Sequence, residues 1–149
     1  MKGKRKSQRP LSIKKPIHLV LRSAHTKLFK PSNTSLEKLI YRLAGQFQIR
    51  IYDLSLNWSH IHAIIMLKDR SDYVRFIRAL TSIIAEKVRT KFAGLKQIFS
   101  LRPFTRILDW GKDFKYTQSY IYQNQLEAFG YIKRKKSVTF LKNEYLSCI

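Results

Sequence analysis

Two histidines stand one residue apart at His60-Ile61-His62. On an extended chain side chains alternate between faces, so both imidazoles leave the same side, from Cα atoms roughly 6.5–7 Å apart. Two neutral ring nitrogens so placed can converge on one metal ion. The alternative is two unrelated polar residues at a strand entrance. Further along, Tyr120 and Asn124 are four residues apart, the spacing that puts two side chains on one helix face. Tyr116 lies a turn back on the same row, and Tyr122 points nearly the other way. If that helix crosses the sheet face bearing the histidines, a phenol and an amide oxygen come beside the imidazoles. Such a set has a chemistry. A divalent ion with open positions binds a phosphodiester and stabilises charge in its transition state, and a phenol can act as a covalent nucleophile. The alternative for Tyr120 is a tyrosine packed between helix and sheet.

The elements that must position these groups are legible from periodicity. Ile17-His18-Leu19-Val20-Leu21-Arg22 reads as a short buried strand. Thr34 stands three residues before Glu37, a capping-box spacing. Leu36, Leu39, Ile40, Leu43, Ala44 and Phe47 then predict a helix to about Gln48. Arg50 to Asn57 and Ile61 to Leu67 read as strands joined by a turn at Asn57-Trp58-Ser59. In the second of these, Ile61, Ala63, Ile65 and Leu67 form an apolar face opposite the histidines. Tyr73, Phe76, Ile77, Leu80, Ile83, Ile84, Val88 and Phe92 predict a long second helix ending near Gly94. Phe104 to Leu108 is a fourth strand, and a third helix is expected over about Phe114 to Leu126, closed by Gly130. The order strand, helix, strand, strand, helix, strand is that of an α+β, ferredoxin-like antiparallel sheet. Two helices would cover one face, and the added C-terminal helix, which carries Tyr120, would cross the other.

Charge narrows the partner. The 149 residues hold 30 Lys+Arg against 9 Asp+Glu, a formal net charge of +21, with 44% hydrophobic residues. A chain with that apolar content can build a core, and an excess of that size points to a polyanion, nucleic acid first. The single cysteine, Cys148, allows no disulfide within the chain and no cysteine-based zinc site. No stretch approaches the length of a membrane span. Residues 1–16 read as a flexible basic arm, residues 17–130 as the folded domain, and residues 131–149 as a basic tail.

The segment Ser59-His60-Ile61-His62-Ala63-Ile64-Ile65 resembles the Asn-His-Val-His-Leu-Leu signature of single-tyrosine HUH transposases. Tyr120-Ile121-Tyr122-Gln123-Asn124-Gln125 resembles the Tyr-Ile-x-x-Asn-Pro signature of the REP-associated tyrosine transposases, and Ile17 to Arg22 is similar to that family's first strand. The likeness runs from about Ile17 to Gly130, with both motifs in the family's order and on the expected elements. It implies that Tyr120 is the nucleophile, that His60 and His62 are metal ligands, and that Asn124 supplies a third oxygen ligand. It also implies Mg²⁺ or Mn²⁺ as cofactor. The implied reaction is cleavage of single-stranded DNA, at hairpin-containing repeats, to a 5′-phosphotyrosine and a free 3′-hydroxyl, followed by rejoining. Ser59 departs from the motif's Asn and Gln125 from its Pro, which bears on subfamily and DNA target more than on chemistry.

Binding to DNA is expected from Arg75, Arg78, Lys87 and Arg89 on the second helix, from Arg102 and Arg106 near the fourth strand, and from Lys133-Arg134-Lys135-Lys136. Trp58 could stack on an unpaired base. His18 and His25 read as structural. The expected form is a monomer or homodimer in a bacterial-type cytoplasm, associated with the nucleoid and not with membrane. The competing reading is a non-catalytic nucleic-acid-binding domain on the same fold, in which sheet aromatics stack on bases.

Overall fold

A computed structural model describes residues 9–100 and 102–133. Its elements follow the order β1 (Ile17–Arg22), α1 (Thr34–Gln46), β2 (Arg50–Asn57), β3 (His60–Met66), α2 (Arg70–Lys91), β4 (Phe104–Ile107) and α3 (Lys112–Ala128). The four strands form one sheet in the order β2-β3-β1-β4, with every neighbouring pair antiparallel. This is the ferredoxin-like arrangement that the element order implies.

The sheet has two faces of different chemistry, because odd and even positions of its central strands carry different residue types. Ile17, Leu19 and Leu21 of β1 and Ile61, Ala63 and Ile65 of β3 lie in one apolar core. That core also takes Leu39, Ile40, Leu43 and Ala44 of α1 and Tyr73, Phe76, Leu80 and Ile84 of α2. The opposite face is covered by α3. It is seated on a smaller apolar cluster of Ile64, Leu108 and Ile121, with Tyr52, Phe114 and Tyr120 packed around it. A register shift in the β2–β3 pairing between Ile51 and Asp53 accompanies the packing of Tyr52 against α3. Its ring meets Phe114 and Trp110 edge-on at 5.4 and 5.8 Å.

Several boundaries differ from the sequence expectation, each for a local reason. The N-cap of α1 is Asn33, not Thr34, because the Asn33 side chain accepts from the Leu36 amide at 3.1 Å. Helix α2 starts at Arg70, ahead of its apolar stripe, because Asp69 accepts from the Ser71 amide at 2.6 Å. Helix α3 extends from Lys112 to Ala128, longer at both ends than its stripe indicates. It opens on Gly111 at φ 97° and closes before Gly130 at φ 79°, backbone conformations that favour glycine.

Residues 9–16, expected as part of a flexible arm, pack against the sheet. Pro16 is buried, its carbonyl accepts from the Leu108 amide at 2.8 Å, and the Pro10 carbonyl accepts from Thr105 Oγ1 at 2.9 Å. The remainder of that arm (residues 1–8), Arg134, Lys135, Lys136 and Cys148 lie outside the described residues.

Candidate active site

The face beneath α3 carries buried polar side chains beside its small apolar cluster. Pairing across the sheet sets its rows. His60 stands opposite Asn57 on β2 and Arg22 on β1; His62 stands opposite Ser55 and Val20; Ile64 stands opposite Asp53 and His18. Directly paired residues share a face, so His18, His60, His62, Ser55 and Asn57 are neighbours. The rings of His60 and His62 lie 4.6 Å apart at 85°, the convergence that the His-x-His spacing allows.

Helix α3 brings Tyr120 over them. Its ring is 5.7 Å from that of His62 and 6.4 Å from that of His18, edge-on to both. Tyr116 and Tyr122, at 48% and 61% exposure, point outward, so of these three tyrosines Tyr120 alone faces the histidines. One turn further on, Asn124 Nδ2 donates to the Tyr120 carbonyl at 2.7 Å. This folds the amide back along the helix toward Tyr120 and leaves Oδ1 as its acceptor atom.

The site contains a histidine that sequence reading assigned a structural role. His18, 1% exposed, places Nε2 at 3.1 Å from His62 Nδ1, with the two rings at 19°. The signal was present in β1: Ile17, Leu19 and Leu21 mark its core face, which leaves His18, Val20 and Arg22 on the histidine face. Arg22, exposed and directly opposite His60, is a second residue of this face that lies in neither motif. Burial keeps both inner histidines uncharged. Desolvation first, then the Arg106 guanidinium, lower His18 to about 4. Desolvation, His18 and His60 hold His62 well below the usual imidazole range. His25, by contrast, does keep a structural contact, its Nε2 lying 2.9 Å from the Gln97 carbonyl.

Buried polar atoms in proteins are almost always hydrogen-bonded. Here His62 Nε2, His18 Nδ1 and Asn57 Nδ2 are buried with no hydrogen-bond partner among the described residues. All three belong to the histidine face. His60 differs in being half-buried, with Nδ1 at 2.9 Å from Ser59 Oγ. Among the described residues no group of three or more His, Cys, Asp or Glu is arranged to hold a metal ion. A cation on this face would therefore take two imidazoles and complete its shell with oxygen from an amide, water or a phosphate. The unpartnered Nε2 of His62 fits that role.

The basic residues divide differently from the sequence expectation. Arg106 is turned inward. Its Nη1 reaches both Asp113 carboxylate oxygens at 3.0 and 3.2 Å, and its Nη2 donates to Thr117 Oγ1 at 3.0 Å. It holds α3 on the sheet, because β4 places it beside His18 on the α3 face. Arg75 pairs with Asp72 and lies over the Phe47 ring at 5.9 Å. With Arg78, Lys87 and Arg89 it belongs to α2, across the sheet from the histidines, so a strand seated on the histidines meets these residues only by passing round an edge. Arg102 lies near Arg9 and Tyr73. Lys133 is exposed just past the end of α3. Trp58, at φ 35° in the β2–β3 turn and 40% exposed, donates from Nε1 to the Ala128 carbonyl at 3.1 Å. It ties the far end of α3 to the turn before His60.

Fold and site together define a class: a ferredoxin-like sheet whose polar face, carrying an HxH pair, is crossed by a tyrosine-bearing helix. The IS200-like transposase family model matches residues 13–124, and the chain belongs to that family. It is similar in structure to the REP-associated tyrosine transposase bound to a REP hairpin, with a TM-score of 0.67 and 17% identity, over 97% of this chain and 88% of that one. It is also similar to a putative transposase from Deinococcus radiodurans R1, with a TM-score of 0.51 and 18% identity, over 84% of this chain and 98% of that one. At such identities the structural likeness speaks for the fold. No curated protein matches the chain. No helix among the described residues is long and apolar enough to cross a membrane.

Proposed function

We propose that this chain is a single-tyrosine DNA strand transferase acting on single-stranded or hairpin DNA. Tyr120 Oη attacks a phosphodiester and forms a bond to phosphorus, while the bond from phosphorus to the 3′-oxygen breaks. The phenol loses its proton and the departing 3′-oxygen gains one. The product is a 5′-phosphotyrosine with a free 3′-hydroxyl, and the reverse reaction rejoins a strand without a nucleotide cofactor. The observation that carries this reading is the Tyr120 ring 5.7 Å from the ring of His62, whose buried Nε2 has no hydrogen-bond partner among the described residues.

His60 and His62 would hold a divalent cation with Asn124 Oδ1, and that cation would supply charge stabilisation at the scissile phosphate. Two imidazoles in the set suit Mn²⁺ better than Mg²⁺, which prefers oxygen ligands throughout. Arg22 beside His60 and Lys133 beyond α3 are placed to meet the strand's phosphates, and the exposed part of the Trp58 ring offers a stacking surface.

The test is incubation with a hairpin-containing single strand and Mn²⁺, read on a denaturing gel for a covalent adduct. Wild type should form the adduct, and Tyr120→Phe should form none while binding the strand as before. An adduct on the Phe variant would remove Tyr120 from the role and turn attention to Tyr116. Undiminished cleavage in excess chelator would remove the cation.

A further inference from the structure

We propose that His18 is a positioning residue for the cation site: its Nε2 accepts the Nδ1 proton of His62, so that His62 presents a bare Nε2 to the ion. This rests on the reading of His60 and His62 as ligands, and it adds a residue that neither the HxH motif nor the tyrosine motif contains.

The hydrogen bond between the two rings has two possible proton placements. Nε2 of His18 lies 3.1 Å from Nδ1 of His62, and one of the two nitrogens must carry the proton. If His18 donates, His62 keeps its own proton on Nε2 and cannot ligate through it. If His62 donates, its Nε2 has a lone pair to give. Nδ1 of His62 is therefore committed to His18, and Nε2 is the nitrogen left for an ion. That atom is buried without a hydrogen-bond partner among the described residues.

Packing holds the His18 ring in place against His62. It sits on the central strand β1, paired to Ile64 on one side and Arg106 on the other. Its ring is held by Phe104 edge-on at 6.5 Å and Tyr120 edge-on at 6.4 Å. Without it, the proton that His62 must carry on Nδ1 during ligation would have no acceptor; with it, the unpaired donor is His18 Nδ1, which is buried with no hydrogen-bond partner among the described residues. Partners of this kind, one bond behind the ligand, orient the ring and set its tautomer.

The experiment compares the full chain with His18→Phe, which keeps a ring but offers no acceptor, and His18→Gln, whose amide oxygen can accept. Mn²⁺ affinity is read from the electron paramagnetic resonance of free Mn²⁺, without DNA. His18→Phe should weaken binding by about 10–100-fold, as loss of such a partner does elsewhere, and His18→Gln should recover most of that loss. Affinity unchanged in His18→Phe overturns the proposal, as does His18→Gln binding no better than His18→Phe.

A second measurement needs no variant. In the Mg²⁺-saturated wild type, long-range ¹H–¹⁵N correlations should show His62 protonated on Nδ1 and bare on Nε2; a proton retained on Nε2 overturns the proposal. His62→Ala binding Mn²⁺ as wild type would instead overturn the ligand reading itself, which separates the two failures.

Discussion

Replacing Arg106 by alanine separates two physical roles that a basic residue near a nucleic-acid site can have. The guanidinium makes two hydrogen bonds to Asp113 and one to Thr117, joining β4 to the first half of α3. The side chains of Arg106 and Asp113 are 33% and 30% exposed, so the pair lies between two regimes. Fully exposed pairs contribute about 0.2–1 kcal/mol, and buried hydrogen bonds to charged groups about 1.5–3 kcal/mol. An intermediate cost of about 2 kcal/mol is expected for Arg106→Ala. For a chain of this size that lowers Tm by about 4–8 °C. Asp113→Ala should cost at least as much, because Asp113 Oδ2 also accepts from the Asp109 amide at 3.0 Å. The double variant should cost less than the sum by about 1 kcal/mol, the signature of a direct interaction. Thermal unfolding followed by circular dichroism measures all four chains. A phosphate-binding arginine behaves otherwise: Tm is unchanged, while DNA affinity falls and its salt dependence loses about 0.7–0.9 in log–log slope, the lower figure for a single-stranded contact and the higher for a hairpin stem. That pattern would refute the inward role assigned to Arg106.

Two further outcomes follow from the same face. Unfolded histidines titrate near 6.5, whereas native His18 is held at about 4 and native His62 well below 6.5. Above pH 6.5 both states are uncharged at these residues, and below it the unfolded chain takes protons that the native chain refuses. Stability should therefore fall as pH drops from about 6.5 toward 4, with His18 alone costing about 2 kcal/mol at pH 5; a urea midpoint that stays level from pH 7 to pH 5 would contradict this. Ile121→Ala opens the small cluster that seats α3, in which Ile64 and Leu108 are fully buried. It should cost about 2–4 kcal/mol in urea unfolding, and a loss near zero would mean that this cluster does not hold the helix.

Much of this architecture was readable beforehand because each element has a strong period. The alternation Ile61, Ala63, Ile65 marked the core face of β3, and by subtraction the histidine face. The stripe from Tyr73 to Phe92 marked α2. Helix starts were less readable, since Asn33 and Asp69 act through side-chain bonds that periodicity does not register. His60, His62 and Tyr120 were singled out by residue types at fixed spacing together with the resemblance that their two motifs carry. His18 was not, because its partner is remote in sequence and close only through β1–β3 pairing. Arg106 was misread for a related reason: composition shows a positive charge, and only the register of β4 beside β1 shows that it points at Asp113 and Thr117.

The anchoring of α3 at both ends has a consequence for counting molecules. Arg106 fixes its first half to β4, and Trp58 fixes its last turn to the turn before His60, so Tyr120 stands over His62 of its own chain. Under the proposed reading, one copy then carries a complete set of reacting groups. A chain lacking Tyr120 and a chain lacking His62 should stay inactive when mixed, since neither can lend the other what it is missing. Activity per chain should also be independent of dilution at saturating DNA. Restored cleavage in the mixture would mean that the helix exchanges between copies.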